Sequence, residues 1–328
     1  MRFIQLGRRE FITLFGGVAA TWPLKARAQQ VGKVWRVGIL DTATRELNND
    51  IAALFKGLRA FGYIEGQNLI VEYRTADGRN ERLPDLVSEL LRLNLDLIVV
   101  RGTPEIIAIK NANSKIPIVM SAIVDPVGLG LAASLSHPGG NITGMSSMVS
   151  ELEAKRLEML REIVPGMKRM AFLADFRYVV AWDEVQTAAR SFALEVERFD
   201  VRSGEDISRA FEAASEDHVD AVRIGIGGTT RPNRRLIIEL ASKYKLPAIY
   251  SAREFAIDGG LIAFGADYAD LYLRAATVVD KILKGTDPAE IPIEQPTKFD
   301  LVVNLKTAKS LGLTIPYALV ARADEVIE

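Results

Sequence analysis

An α/β protein of two lobes, each a doubly wound parallel sheet with helices on both faces, is the fold class the sequence predicts. Three observations support it. Apolar strands and amphipathic helices alternate along the chain. A set of strand-like stretches in the first half recurs in the same order in the second. The stretch from Lys115 to Met145 reads as a buried strand, a polar loop and then extended chain leaving its domain.

Taken in order, Trp35 to Leu40 is a short apolar strand closing on Asp41 and Thr42, and Leu47 to Phe61 has helical spacing ended by Gly62. Leu69 to Tyr73 is a second strand and Glu81 to Leu93 a second helix. Leu95 to Val100 is a third strand. It leads into the loop from Arg101 to Glu105, where Pro104 should start a helix to Asn111. Ile116 to Val124 is mostly apolar, as in a strand covered on both faces. Pro126 pushes Asp125 towards extended backbone, which should place its carboxylate at the strand's end, capping a helix over Val127 to Leu135. His137 to Asn141 cannot continue that helix, and Ile142 to Met145 is extended.

The second half repeats the plan. Arg36 to Asp41 is answered by Arg169 to Asp175, Leu95 to Pro104 by Val219 to Pro232, and Lys115 to Val119 by Lys245 to Tyr250. Between these echoes, Glu151 to Val164, Val180 to Glu195 and Asn233 to Tyr244 read as helices. Ser203 to Asp206 is a capping sequence for another helix, to Ser215. Leu261 to Phe264 leads through Asp267 to a long amphipathic helix, Ala269 to Lys284, stopped by Gly285. Asp287 to Pro296 is an extended linker, and Phe299 to Val303 begins a last strand and helix.

Composition bounds the chemistry. The chain has 328 residues, enough for two lobes with their own cores, and 48% apolar with 25% charged residues is ordinary for a globular protein. Lys+Arg number 41 against 42 Asp+Glu, so no global basic field is available to hold nucleic acid. Cysteine is absent and histidines number two, which removes disulfide frameworks, thiol catalysis and the usual zinc sites; no cofactor is expected. Residues 1–28 read as targeting rather than fold. Arg8 and Arg9 precede an apolar stretch from Phe11 to Leu24, and Ala26 to Ala28 offers small residues for a signal peptidase, as in a twin-arginine export signal. The alternative is an amphipathic first helix or an anchor, although the run is short of the ~20 residues that span a bilayer. Export by that route would leave the mature chain from Gln29 periplasmic, with no stable membrane insertion after cleavage.

The stretch DPVGLGLAASLSHPGGNITG, from Asp125 to Gly144, resembles a signature of the substrate-binding components of ABC transporters, the group that includes tryptophan-type binding proteins. So do the stretch from Gly259 to Pro316 and the terminal ARADEVIE. The resemblance implies a type I periplasmic-binding-protein-like fold with three crossings, near Asn141 to Ser146, Gly260 to Gly265 and Pro292 to Lys298. The lobes would then be residues 29–142 with 265–296, and 143–264 with 297–328. It also implies a role in solute capture, with a monomer closing by hinge motion around a small carboxylate-bearing solute, an amino acid or similar and possibly aromatic, and delivering it to an ABC permease of the inner membrane. A periplasmic sensor subunit serving a membrane receptor is the alternative.

Ligands of parallel α/β sheets bind outside the carboxyl ends of the strands. That rule selects Asp41, Thr42, Gly102, Thr103, Pro104 and Asp125 from the first lobe. From the second it selects Asp175, Tyr178, Gly228, Thr229, Thr230, Tyr250 and Ser251, with Asp267 at the hinge. Gly102 and Thr103, ahead of Pro104, could offer a carboxylate the free amides of a helix N-terminus, or Thr103 could simply cap its own helix. Asp125 could pair with a ligand ammonium or act as a cap. Tyr178, Trp182 and Tyr250 could stack on an aromatic solute or belong to the core.

Other chemistries find no support. The glycines at 225 to 228 match neither a dinucleotide fingerprint nor a phosphate loop. His137 lies in a turn with no serine nucleophile motif, so catalysis is not expected. Arg231 to Arg235 reads as the exposed start of a helix rather than a phosphate or nucleic-acid patch.

Overall fold

The three matched pairs of stretches fall at equivalent places in two sheets. The structure is a computed structural model that describes residues 33–42, 49–148, 152–175 and 180–328; the export-signal reading of 1–28 and the Tyr178 assignment lie outside the described residues. The first part of the chain forms β1 (Trp35–Asp41), α1 (Asn49–Ala60), β2 (Leu69–Thr75), α2 (Leu83–Leu91), β3 (Leu97–Val100), α3 (Thr103–Asn111), β4 (Ile118–Ile123) and β5 (Ile142–Ser146). There follow α4 (Glu153–Ile163), β6 (Arg169–Asp175), α5 (Val180–Ser191), β7 (Glu195–Val201), α6 (Gly204–Glu216), β8 (Ala221–Ile224), α7 (Arg234–Lys243), β9 (Ala248–Tyr250), α8 (Arg253–Ile257) and β10 (Ile262–Ala266). The chain ends with α9 (Tyr268–Leu283), β11 (Phe299–Asn304), α10 (Leu305–Ser310), α11 (Tyr317–Val320) and β12 (Glu325–Ile327).

The first sheet has the order β2-β1-β3-β4-β5, all parallel, and the second continues β7-β6-β8-β9-β10 with β11 and β12 at its far edge. Position for position, the two halves therefore share one topology, as the echoes predict. The second sheet is not wholly parallel, because β11 runs antiparallel to β10.

Alternation along the first sheet sorts its side chains. Val37, Ile39 and Val99 meet α1 and α9, whereas Leu40, Ile98 and Val100 meet α2 and α3. The amphipathic α9 buries Leu271, Ala275, Val278 and Ile282 on this core. Each large aliphatic so buried stabilises by about 1.5–3 kcal/mol. Close approach of α1 and α9 depends on Gly57, where a Cβ would lie 2.6 Å from Ala276 Cβ.

Two expectations fail. No helix spans Val127 to Leu135. A turn forms there instead, with Asp125 Oδ1 accepting from Gly128 N at 2.8 Å, and Gly130 adopts φ +62, a left-handed conformation that ends helical winding. Lys110 Nζ fastens the turn through the Leu129 and Gly130 carbonyls at 3.0 and 3.1 Å. The first two connections between sheets also come later than expected, since β5 completes the first sheet through Ser146 and β10 the second through Ala266. The first and third connections run side by side: Glu294 N donates to Gly144 O at 2.9 Å and Ser146 N to Glu294 O at 2.8 Å.

Candidate functional site

The carboxyl edges of the two sheets meet. At Gly228, in the loop after β8, a Cβ would lie 3.1 Å from Asn80 Oδ1 and 3.5 Å from Pro104 Cγ, both at the carboxyl edge of the first sheet. Glycine is what permits this approach of one edge to the other.

Asp41, at the end of β1, is fully buried; it accepts from Tyr73 Oη at 2.8 Å and from Arg101 Nη1 at 3.2 Å. Arg101 also approaches Asp50, in the first turn of α1, with Nη2 3.5 Å from Oδ2. Asp50 is reached from the second sheet by Arg231, whose Nη2 donates to its Oδ2 at 2.6 Å. Arg231 Nε pairs with Glu254 at 2.6 Å, and its guanidinium lies 5.0 Å from the centre of the Tyr268 ring. Burial works against the charge of Arg231, but Glu254 and Asp50 hold it above the ordinary arginine value.

The amino end of α3 is filled by the protein itself. Gly102, not Thr103, is the N-cap, in extended conformation, and Thr103 is the first helical residue. The side chain of Glu105 folds back so that Oε1 accepts from Thr42 N at 2.8 Å, and its carboxylate also takes its own amide. Glu105 is buried, and desolvation, followed by the charge of Asp41, pushes its carboxyl up to about 7. A solute carboxylate at these amides, as expected for Gly102 and Thr103, would have to displace that of Glu105. Glu105 Oε2, Asn80 Oδ1 and Tyr272 Oη are buried with no hydrogen-bond partner among the described residues.

On the second sheet, Asp175 Oδ2 accepts from Thr229 N at 2.7 Å, and Thr230 Oγ1 donates to Gly225 O at 2.7 Å, so these residues shape the loop carrying Gly228. Ser251 belongs to a buried ionic group. Arg223 donates to Ser251 Oγ at 2.7 Å and to Glu153, which also accepts from Arg156 Nη1 at 2.8 Å; Arg156 Nε donates to Phe264 O at 2.8 Å. Asp267 caps α9, its Oδ1 accepting from Asp270 N at 3.0 Å.

The structure therefore gathers Asp41, Thr42, Gly102, Thr103, Pro104, Asp175, Gly228, Thr229 and Thr230 at the facing edges, with Ser251 beneath the second. Asp125 holds its own turn. Tyr250 is a core residue, stacked on Phe255 with ring centres 4.8 Å apart, and Trp182 stacks on Phe172 at 5.9 Å. Sequence reasoning misses Asp50, Asn80, Glu105, Glu254, Tyr272 and the ionic group, and it takes Arg231 for an exposed residue. One signal was available: Arg223 interrupts an apolar strand, where a charge has to be paired.

Among the described residues, no helix is long and apolar enough to cross a membrane, and no group of three His, Cys, Asp or Glu could hold a metal ion. The chain is 26% identical over 261 residues to a tyrosine-binding protein of Clostridioides difficile, covering 79% of this chain and 75% of that one. It resembles the ABC domain from Streptococcus pneumonia in complex with L-Trp, with TM-score 0.83, 26% identity and coverage of 89% of this chain and 99% of that one. A conserved domain protein from Vibrio cholerae gives TM-score 0.84 at 29% identity, covering 90% and 100%. The fold is thus the two-lobed α/β arrangement of type I periplasmic binding proteins. The family model for ABC transporter substrate binding protein matches residues 45–327, and the chain belongs to that family.

Proposed function

We propose that the protein is the periplasmic capture subunit of an ABC importer, holding an amino acid between its lobes and passing it to a permease of the inner membrane. It works as a monomer without catalysis, opening and closing about the three connections between its sheets. The observation that carries this reading is the set of buried acceptors at the first-lobe edge, Glu105 Oε2 and Asn80 Oδ1, next to the acidic Asp41. Such a wall suits the donors of an ammonium group, which forms short, charge-assisted hydrogen bonds with carboxylates. The strand-end residues Asp41, Thr42, Thr103, Asp175, Thr229 and Thr230 supply the remaining polar contacts. The relatives named above, one bound to L-Trp and one a tyrosine-binding protein, support an aromatic amino acid. Export by the twin-arginine route fits Arg8 and Arg9.

Calorimetric titration with L-tryptophan, L-tyrosine and their N-acetyl forms tests the reading. Acetylation removes the ammonium charge, so the N-acetyl forms should bind at least tenfold more weakly, about 1.4 kcal/mol. Equal binding of the two forms, or no binding of any amino acid, would overturn it. For export, replacing Arg8 and Arg9 by Lys should retain the protein in the cytoplasm in cell fractionation.

A further inference from the structure

We propose that Asp50 and Arg231 form a solute-independent clasp that sets how often the lobes are closed, and hence scales affinity for every solute alike. The inference rests on the capture reading in taking the lobes to open and close, but not on what the solute is. The clasp joins residues 181 positions apart, one from each sheet's edge, at 2.6 Å. Both side chains are largely shielded from water while joined, at 11% and 17% exposure, and salt favours parting by screening the two charges once the lobes open and expose them.

What makes it a clasp rather than a permanent bolt is that each partner keeps a second counter-ion on its own side. Asp50 has Arg101, 3.5 Å away in the first lobe, and Arg231 has Glu254, 2.6 Å away in the second. A buried ion pair is hard to separate when parting strands an uncompensated charge. Here neither charge is stranded, because opening returns Asp50 to Arg101 and leaves Arg231 with Glu254. The energy of the interlobe pair is thus reduced to a difference between two paired states, which suits an equilibrium that has to run both ways. Any solute that binds the closed form gains the same factor from it.

The chain has no cysteine, so dyes can be placed cleanly on Ser88→Cys of α2 and Glu212→Cys of α6, both exposed positions. Single-molecule energy transfer on the full, solute-free protein then reads the closed-to-open ratio. Raising NaCl from about 0.05 to about 0.5 M should lower that ratio by about threefold to tenfold. Asp50→Asn should lower it by a similar factor and abolish the salt response, and the effects of Asp50→Asn and Arg231→Gln should combine to less than their sum in the double variant. Identical distance distributions for wild type and Asp50→Asn at both salt concentrations would overturn the clasp, as would fully additive effects of Asp50→Asn and Arg231→Gln in the double variant. A failure of every amino acid to bind would sink the capture reading while leaving this measurement standing.

Discussion

Arg223 grips both oxygens of Glu153, donating from Nε to Oε2 at 2.8 Å and from Nη2 to Oε1 at 2.6 Å, where neither side chain has contact with water. The arginine comes from the middle of β8 and the glutamate from the first turn of α4, so the pair welds the helix to the sheet directly below the cleft edge.

Breaking this group from one side should be severe. Glu153→Gln leaves the guanidinium groups of Arg156 and Arg223 buried without their shared carboxylate, and a loss of about 3–5 kcal/mol is expected. Urea denaturation monitored by circular dichroism measures it; a loss under about 1 kcal/mol would show that the cluster is dispensable.

Glu105 gives stability a pH dependence of defined sign. Its carboxyl is raised from 4.5 to about 7 in the folded protein, so between those values the native state holds a proton that the unfolded state has released. The contribution is fully present below about 4.5 and is lost as pH rises through about 7. Glu105→Gln keeps an acceptor for Thr42 N but cannot ionise. Its melting temperature should exceed that of wild type at pH 8, and the fall between pH 5 and 8 should be shallower in thermal scans.

Two glycines tolerate no side chain. A Cβ at Gly265 would lie 1.8 Å from Ser251 O, and one at Gly144, where φ is +133, would lie 2.2 Å from Met120 O. Alanine at either should destabilise by more than about 3 kcal/mol, since backbone on the facing strand has to move. Gly140→Ala, with open space around it and no positive φ, should stay within about 0.5 kcal/mol of wild type. Chemical denaturation of the three variants side by side tests the contrast.

The cap of α6 provides a milder case. Ser203 Oγ accepts from Asp206 N at 3.2 Å, and Ser203→Ala should cost about 1 kcal/mol with solute affinity unchanged. Thermal melting and titration calorimetry on one preparation separate the two effects.

That cap was readable in the sequence because Ser203 and Asp206 make their contact locally. The topology shared by the two sheets was also readable, because each strand of the echo carries an apolar run and the runs recur in the same order. β7 carries no such signal: Glu195, Glu197 and Asp200 face solvent on an edge strand, and the sequence reading merges its start with the preceding helix. The helix expected after Asp125 fails because Gly128 and Gly130 outweigh the cap and the apolar spacing. In the cleft, the rule that sites lie at strand ends finds Asp41, Thr42, Asp175 and Thr229. It cannot find Asp50 or Arg231, whose meaning depends on a partner from the other sheet. Arg231, beside Pro232 and further arginines, looks like surface until the lobes are brought together.

The return of β11 and β12 to the second sheet, after α9 has been laid on the first, means that neither lobe is written as an uninterrupted piece of chain. A ribosome must deliver nearly the entire polypeptide before either half has all its parts. Dissecting the molecule into halves by simple truncation will therefore yield fragments that each lack a wall, and study of an isolated lobe calls for circular permutation or a spliced design.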